Sequence, residues 1–380
     1  MKKLITVLCL LPLLASCERM PELHLYDSAD VDYTLPLIDL NLKVYWDYEL
    51  SYGVYYDWQA EWFYGWDEAD KQLFGELGYT EPTVFNLRRY YTGEAPYTPH
   101  AYALSDKVYG NTFHGRYEWG FWDLLVWNDI NTIDGVQSLN FDETTTLDQV
   151  TAYTNQSMRT TRYSAPRYTH AFYEPELLFA AYEQAIHIDP ALDGFEYDEE
   201  RNVYVKKLNM VLEPITYIYL TQVILHNNRG RIVSTDGSAN LSGMARSVVL
   251  NTGIAGSDPI TVYYNVRMKK DLDKEGEKVD IIGGRVITFG MCNINANRIN
   301  RRAEVLDEQH HYMDVTMQFN NGMDSTIVFD VTEQVRKRYK GGVITVELDV
   351  DTVPIPQRSG GSAFNAVVED FKEETHEFEM

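Results

Sequence analysis

The chain has 380 residues, with 57 acidic against 33 basic side chains and a formal net charge of −24. Such a field repels nucleic acid and anionic lipid head groups, which excludes both as charge-driven partners, and it favours solubility. The length exceeds one typical domain and is comfortable for two, while 28 Tyr and 7 Trp suit sheet surfaces where a ring packs and a polar edge stays wet.

Lys2 and Lys3, then the apolar run Leu4 to Leu14, form the two regions of a secretory signal that ends in Leu14-Ala15-Ser16-Cys17. The run is shorter than the roughly 20 apolar residues of a spanning helix. Cleavage before Cys17 leaves an N-terminal cysteine that resembles the bacterial lipoprotein pattern, in which the thiol carries a diacylglycerol and the amine a further acyl chain. Each buried methylene adds about 0.8 kcal/mol, so two or three chains anchor firmly. Cys17 is the expected lipidation site, and its acyl chains hold a soluble body at a membrane. Cys9 leaves with the signal, so Cys292 stands alone and no internal disulfide can form.

Residues 17–36 read as a lipidated spacer, broken by Pro21 and Pro36. Leu40, Leu42, Val44, Trp46 and Tyr48 then alternate with polar residues, the period of a half-buried strand. An aromatic run from Tyr52 to Trp66 precedes a short helix capped by Asp67, with Leu73, Phe74 and Leu77 on one side. Strands are expected at Thr83 to Tyr91, Lys107 to His114 and Trp119 to Trp127. Leu177, Leu178, Ala181, Ala185 and Ile186 share a helical face stopped at Asp189-Pro190, which predicts a connecting helix.

Strands return at Val203 to Leu212 and Ile215 to Leu225. Met313 to Phe319 and Ile327 to Val331 flank Asn321-Gly322, a turn whose residues both accept positive φ. Thr332 is the expected cap of a short helix ended by Gly341, and a last strand runs from Ile344 to Val350. Many short strands with few helices define an all-β chain of two β-sandwich domains in series. The expected divisions are 1–16 signal, 17–36 spacer, 37–165 first sandwich, 166–200 connecting segment and 201–380 second sandwich.

No phosphate loop, nucleophile elbow, HExxH helix or dinucleotide turn occurs in the sequence. No enzyme activity, cofactor or metal is expected. Asp271, Asp273, Glu275 and Gly276 imitate the start of a calcium loop, but Ile282 stands where the bidentate carboxylate belongs, so a charged hairpin tip is the reading. Neighbours on a strand point to opposite faces, so His310 and His311 are read as surface histidines rather than a metal pair. Asp57 and Glu61 sit among Tyr55, Tyr56, Trp58, Trp62 and Trp66. Glycosidase chemistry needs two carboxyls about 5 to 9 Å apart across a sugar, which adjacency in sequence does not supply. The rings themselves either pack in a core or interface or stack on a partner or glycan.

Several segments, taken in order, resemble a family of secreted lipoproteins of Gram-negative anaerobes related to the fimbrillin-associated pilus anchor proteins. They are the lipobox at Cys17, Val44-Tyr45-Trp46-Asp47, Trp122 to Asn128, Glu174 to Phe179, Leu241 to Ala245, Phe329-Asp330-Val331-Thr332 and Gly360-Gly361. The chain departs from the pattern at Tyr52 to Gly78, which is longer and more aromatic. The resemblance implies two transthyretin-like sandwiches of Greek-key type and a role in anchoring or assembling surface pili at the outer membrane, where fimbrial subunits join by strand addition. The alternative is a surface lipoprotein that binds a glycan or host ligand through Tyr55, Tyr56, Trp58, Trp62 and Trp66.

Overall fold

The computed structural model describes residues 35–45, 50–51, 54–55, 57–130, 138–143, 149–155, 171–298 and 309–357. Cys17, the signal and Tyr56 lie outside the described residues. In chain order the elements begin with β1 (Leu37–Val44), the small pair β2 (Leu50–Ser51) and β3 (Val54–Tyr55), and helices α1 (Trp58–Glu61) and α2 (Glu68–Phe74). Strands β4 (Val84–Gly93), β5 (Tyr102–Tyr109), β6 (Thr112–Arg116), β7 (Gly120–Asn128), β8 (Leu139–Asp142) and β9 (Thr151–Thr154) follow. Next come β10 (Ala171–Tyr173), β11 (Phe179–Ile188), β12 (Glu196–Asp198), β13 (Val203–Pro214), β14 (Tyr217–His226) and β15 (Ile232–Ala245). The chain continues with β16 (Ser247–Val249), β17 (Ile254–Ala255), β18 (Pro259–Lys274), β19 (Glu277–Thr288), β20 (Tyr312–Phe319), β21 (Asp324–Asp330), α3 (Thr332–Lys337) and β22 (Gly342–Asp349).

The molecule is all-β, as the strand pattern requires, with two large sheets. The first runs β5-β4-β7-β11-β13-β1-β6, with β12 on β13. Among the described residues its two arms join in the ladder only through Phe179↔Pro214 and Ala180↔Glu213. There the sheet folds back on itself, so Leu87, Leu124 and Ile186 of one arm meet Ile38, Leu40 and Met210 of the other in a single core. Strand β1 shows why: Ile38, Leu40 and Leu42 are buried while Leu37, Asp39 and Asn41 alternate as the wetter face.

The second sheet runs β21-β20-β15-β18-β19-β14-β22, with β10 on β18. The first half of β18 pairs with β15 and the second half with β19, so one long strand carries the sheet around its own core of Tyr219, Val223, Leu241, Val262, Met313 and Ile344. The Asn321-Gly322 turn closes the β20–β21 hairpin, with Gly322 at φ +76. A small sheet, β17-β16-β9-β8, links residues 139–154 to residues 247–255.

The structure corrects several expectations. The connecting helix is strand β11, paired with β7 from Ala180↔Trp127 to Ile188↔Gly120. A register shift between Glu183 and Ile186, with Ala185 at φ +57, inserts an extra position into the strand. A bulge shifts the alternation of faces by one, so the apolar residues fall at helix-like spacings. Just before β11, Glu174 accepts the Ile287 N–H at 3.0 Å, and Glu176 accepts the Ser138 and Leu139 N–H groups, both at 2.9 Å. Strand β10 pairs with β18 of the second sheet, whereas β11, β12 and β13 belong to the first, so the chain crosses between the large sheets between Tyr173 and Phe179 and again after Pro214. The strand expected over Lys107 to His114 is two strands, because Gly110 turns the chain at φ +81.

Candidate functional site

The aromatic segment leaves the first sheet in sequence but packs on the second in space. Strand β14 is buried on both faces: Tyr217, Tyr219, Val223 and Leu225 line the inner core, while Ile218, Leu220 and Ile224 face outward. Val279, Ile281, Ile287 and Val343 of the neighbouring strands extend that outer face, and Trp62, 9% exposed, and Tyr64 cover it. Trp58 and Trp66 are half-buried at its margin, and Trp66 tilts against Phe74 at 5.4 Å. Tyr55 closes the β2–β3 pair through its backbone. Of the five aromatics singled out in the sequence, the structure therefore brings Trp58, Trp62 and Trp66 together over one sheet face.

Polar groups fix this strap in place. Gln222 is fully buried on the outer face of β14, where its Oε1 accepts the Phe63 N–H at 3.0 Å and the Tyr64 N–H at 3.2 Å. Its Nε2 donates to the Glu61 carbonyl at 2.7 Å and to Thr345 Oγ1 at 2.9 Å. Asp67 and Asp70 form a reciprocal capping box at the start of α2, the arrangement that satisfies two otherwise orphaned helix N–H groups. Asp70, itself fully buried, accepts hydrogen bonds from the Tyr64 hydroxyl and from Arg267, both at 2.9 Å, and pairs with Lys269 at 2.5 Å. The Lys269 ammonium also lies 4.1 Å from the Tyr64 ring centroid. Burial, followed by the hydrogen bond to Asp70, pushes the Tyr64 hydroxyl far above its ordinary range.

Gly283 lies directly across from Gln222 in the β14–β19 ladder. A Cβ there would stand 2.5 Å from the Tyr64 ring, so the glycine is the floor on which that ring rests. Gly283→Ala should push the ring off its seat and cost about 1–3 kcal/mol. A lowered urea midpoint followed by tryptophan fluorescence would report it, and an unchanged midpoint would show that the ring's seat contributes nothing.

The carboxylates that drew a comparison with glycosidases serve the same strap. Asp57 accepts the Ala60 N–H at 3.3 Å as the cap of α1, and Glu61 pairs with Arg338. Asp271 to Gly276 form the tip of the β18–β19 hairpin, where the Gly276 N–H donates to Asp273 at 3.1 Å. His311 is not a surface residue: it is fully buried beside Gly243, whose absent side chain leaves room for its ring, and its N–H donates to Thr332 Oγ1 at 2.9 Å. Thr332 therefore serves β20 instead of capping α3, which has Val331 at its N-cap. Burial pushes the Cys292 thiol up to about 12, which keeps this buried cysteine protonated at neutral pH.

Two surface features stand out among the described residues. At one end of the second sheet, the edge of β22 is occupied, because Gln334 donates to the Thr345 carbonyl at 2.8 Å and accepts the Thr345 N–H at 2.9 Å. At the other end, β21 pairs only with β20 among the described residues, in an unbroken register from Asp324↔Gln318 to Asp330↔Tyr312. Elsewhere, where β11 and β13 diverge, a cleft of about 680 Å³ opens against loops of the second half of the chain. Its walls are held by Asn295, which donates to the Thr252 carbonyl at 2.5 Å, and by Asn297, which donates to the Pro214 carbonyl at 2.8 Å.

Sequence reasoning missed Gln222, Asp70 and the cleft. The Gly283-Gly284 pair inside a strand was a usable signal, since an interior glycine marks a close approach. What the geometry defines is an all-β protein of two curled sheets with an aromatic strap across the second. No protein-family model and no curated protein matches the chain. Among solved structures it is similar to a candidate adhesin from Bacteroides ovatus, at 13% identity and a TM-score of 0.48, over 85% of this chain and 95% of that one. It is also similar to the fimbrial anchor protein Mfa2 from Porphyromonas gingivalis, at 9% identity and a TM-score of 0.38, over 82% and 90% of the two chains. The tip fimbrial protein Mfa3 from the same organism is similar at 7% identity and a TM-score of 0.30, over 77% and 81%.

Proposed function

We propose that the chain is a lipid-anchored structural protein of the outer membrane, a fimbrial anchor or accessory component that joins its partner by strand addition. The observation that carries this reading is the edge of β21, which pairs only with β20 among the described residues. Soluble monomers blunt such edges with lysine, proline, bulges or a covering element. β21 reads Asp-Ser-Thr-Ile-Val-Phe-Asp without lysine, proline or a bulge, and its Val328 is 47% exposed, whereas the opposite edge of the same sheet is capped by Gln334. An extended segment of another subunit would continue the ladder there, drawing affinity from main-chain hydrogen bonds. The acyl chains on Cys17 would hold the assembly at the cell surface.

The test is a deletion strain complemented with Val328→Lys. Val328 is on the surface, so stability should change by no more than about 0.5 kcal/mol, and the protein should reach its normal cellular level. Surface filaments should be shortened, shed or lost. Normal filaments with the variant present in full amount would overturn the reading.

A further inference from the structure

We infer that the cleft between the diverging strands β11 and β13 binds a neutral oligosaccharide, an activity independent of the β21 edge. Its volume of about 680 Å³ lies inside the range of small-ligand sites. The lining decides what chemistry fits. Asn209 and Glu213 come from β13, Tyr182 and Glu183 from β11, and Asn297 and Arg298 from the loop after β19. An apolar ligand would leave these groups desolvated without partners, a cost of about 1–3 kcal/mol for each. A phosphate or sulfate would meet two carboxylates against one guanidinium in a molecule of net charge −24. A sugar hydroxyl both donates and accepts, so it can donate to Glu183 or Glu213 and accept from Asn209 or Arg298. The half-buried Tyr182 supplies an apolar ring face, and its hydroxyl is tied to Asp123 at 2.9 Å, which fixes the ring's orientation.

The cleft is also built before any ligand arrives. Asn297 spends its side-chain N–H on Pro214, which leaves Oδ1 as an acceptor, and its own N–H donates to Asn295 at 2.9 Å. Gly253 passes so close to Asn295 that a Cβ would stand 2.8 Å from its Nδ2. Strands of the first sheet and loops beyond it thus form walls whose side chains need little reordering, the condition under which a polar ligand keeps its binding energy.

The experiment is an array that carries both neutral and sulfated or sialylated oligosaccharides, probed with the purified mature protein in detergent. Retention of neutral glycans is expected. Calorimetric titration with a retained neutral hexasaccharide should then show affinity reduced about tenfold or more in Asn209→Ala and Glu213→Gln, with binding by Val328→Lys unchanged. Both cleft positions are exposed, so the melting temperature should hold. Should either variant lower it, Arg298→Ala at the rim provides the same reading. Retention of acidic glycans alone, retention of none, or undiminished affinity in the cleft variants would overturn the inference while leaving the edge-strand reading intact.

Discussion

Asp70→Ala should lower the stability of the second half of the molecule by about 3 kcal/mol. Removing one partner of a buried ion pair typically costs about 3–5 kcal/mol, because the remaining charge is left in low dielectric without compensation. Here Lys269 and Arg267 would be stranded beneath the strap, and the Tyr64 hydroxyl would lose its acceptor. Asp67 still reaches Arg267 at 2.9 Å and Lys269 at 3.1 Å, which places the expectation at the lower end of that range. The Tyr64 side also matters, since its ring and Trp62 cover Ile218, Leu220 and Ile281. Loosening α2 should therefore expose apolar surface as well as charge. Urea unfolding should show a lower midpoint, and limited proteolysis should cut between residues 57 and 79 faster than in the wild type. A midpoint within experimental error of the wild type would mean that the strap rests on apolar contact alone.

Asp314→Asn should stabilise the protein by about 2–4 kcal/mol at pH 8 and change little at pH 4. Asp314 is buried on β20, 3% exposed, with a hydrogen bond of 2.6 Å from Asn240. Burial pushes its carboxyl up to about 7 from the ordinary 3.8, against the lowering effect of Asn240 and with help from Asp236. The sign follows from linkage. The unfolded chain releases this proton near pH 3.8 while the folded protein keeps it to about 7, so stability falls as pH rises between those values and stays low above them. Asparagine is neutral throughout and removes that loss. The upper bound of roughly 4 kcal/mol comes from about 1.4 kcal/mol per unit difference.

His311 works in the opposite direction. Burial lowers it to about 4 from the ordinary 6.5, so the unfolded chain takes up a proton that the folded protein refuses, and stability falls as pH drops from 6.5 towards 4. The two effects oppose each other between about pH 4 and 6.5, so Asp314→Asn should leave the His311 effect alone and make stability rise more steeply over that range than in the wild type, with the gain kept above pH 7. Denaturation midpoints measured from pH 4 to pH 9 in wild type and variant would separate the two contributions. A variant curve that merely runs parallel to the wild type would mean that Asp314 is ionised in the fold.

The pattern of Leu40, Leu42 and Val44 fixed β1 because each inward position has one consistent demand, burial, and a period of two is visible in a single chain. Asp67 announced α2 for a similar reason, since a capping box closes within four residues and needs nothing distant. Asn321-Gly322 announced the β20–β21 hairpin, because only a few residue types accept that turn. Strand β11 was misread as a helix because a bulge at Ala185 is set by pairing with β7, about 60 residues earlier in the chain, and the local spacing of apolar residues cannot report it.

The candidate sites divide in the same way. The aromatic strap was visible as composition, but its destination depended on Gln222 and Gly283, which lie on neighbouring strands of another sheet and look like ordinary strand residues. The cleft joins strands β11 and β13 to a loop near residue 297, and no local motif links them. By itself, then, the sequence determined the all-β class, the short helices and the hairpin turns, because these follow from backbone and patterning rules that act over a few residues. Only the tertiary structure decided which face the rings cover, which strand edge stays open and where polar side chains converge. Those outcomes depend on pairings between residues far apart in the chain, such as Phe63 with Gln222 and Asn297 with Pro214, whose energies have no counterpart in the local chain.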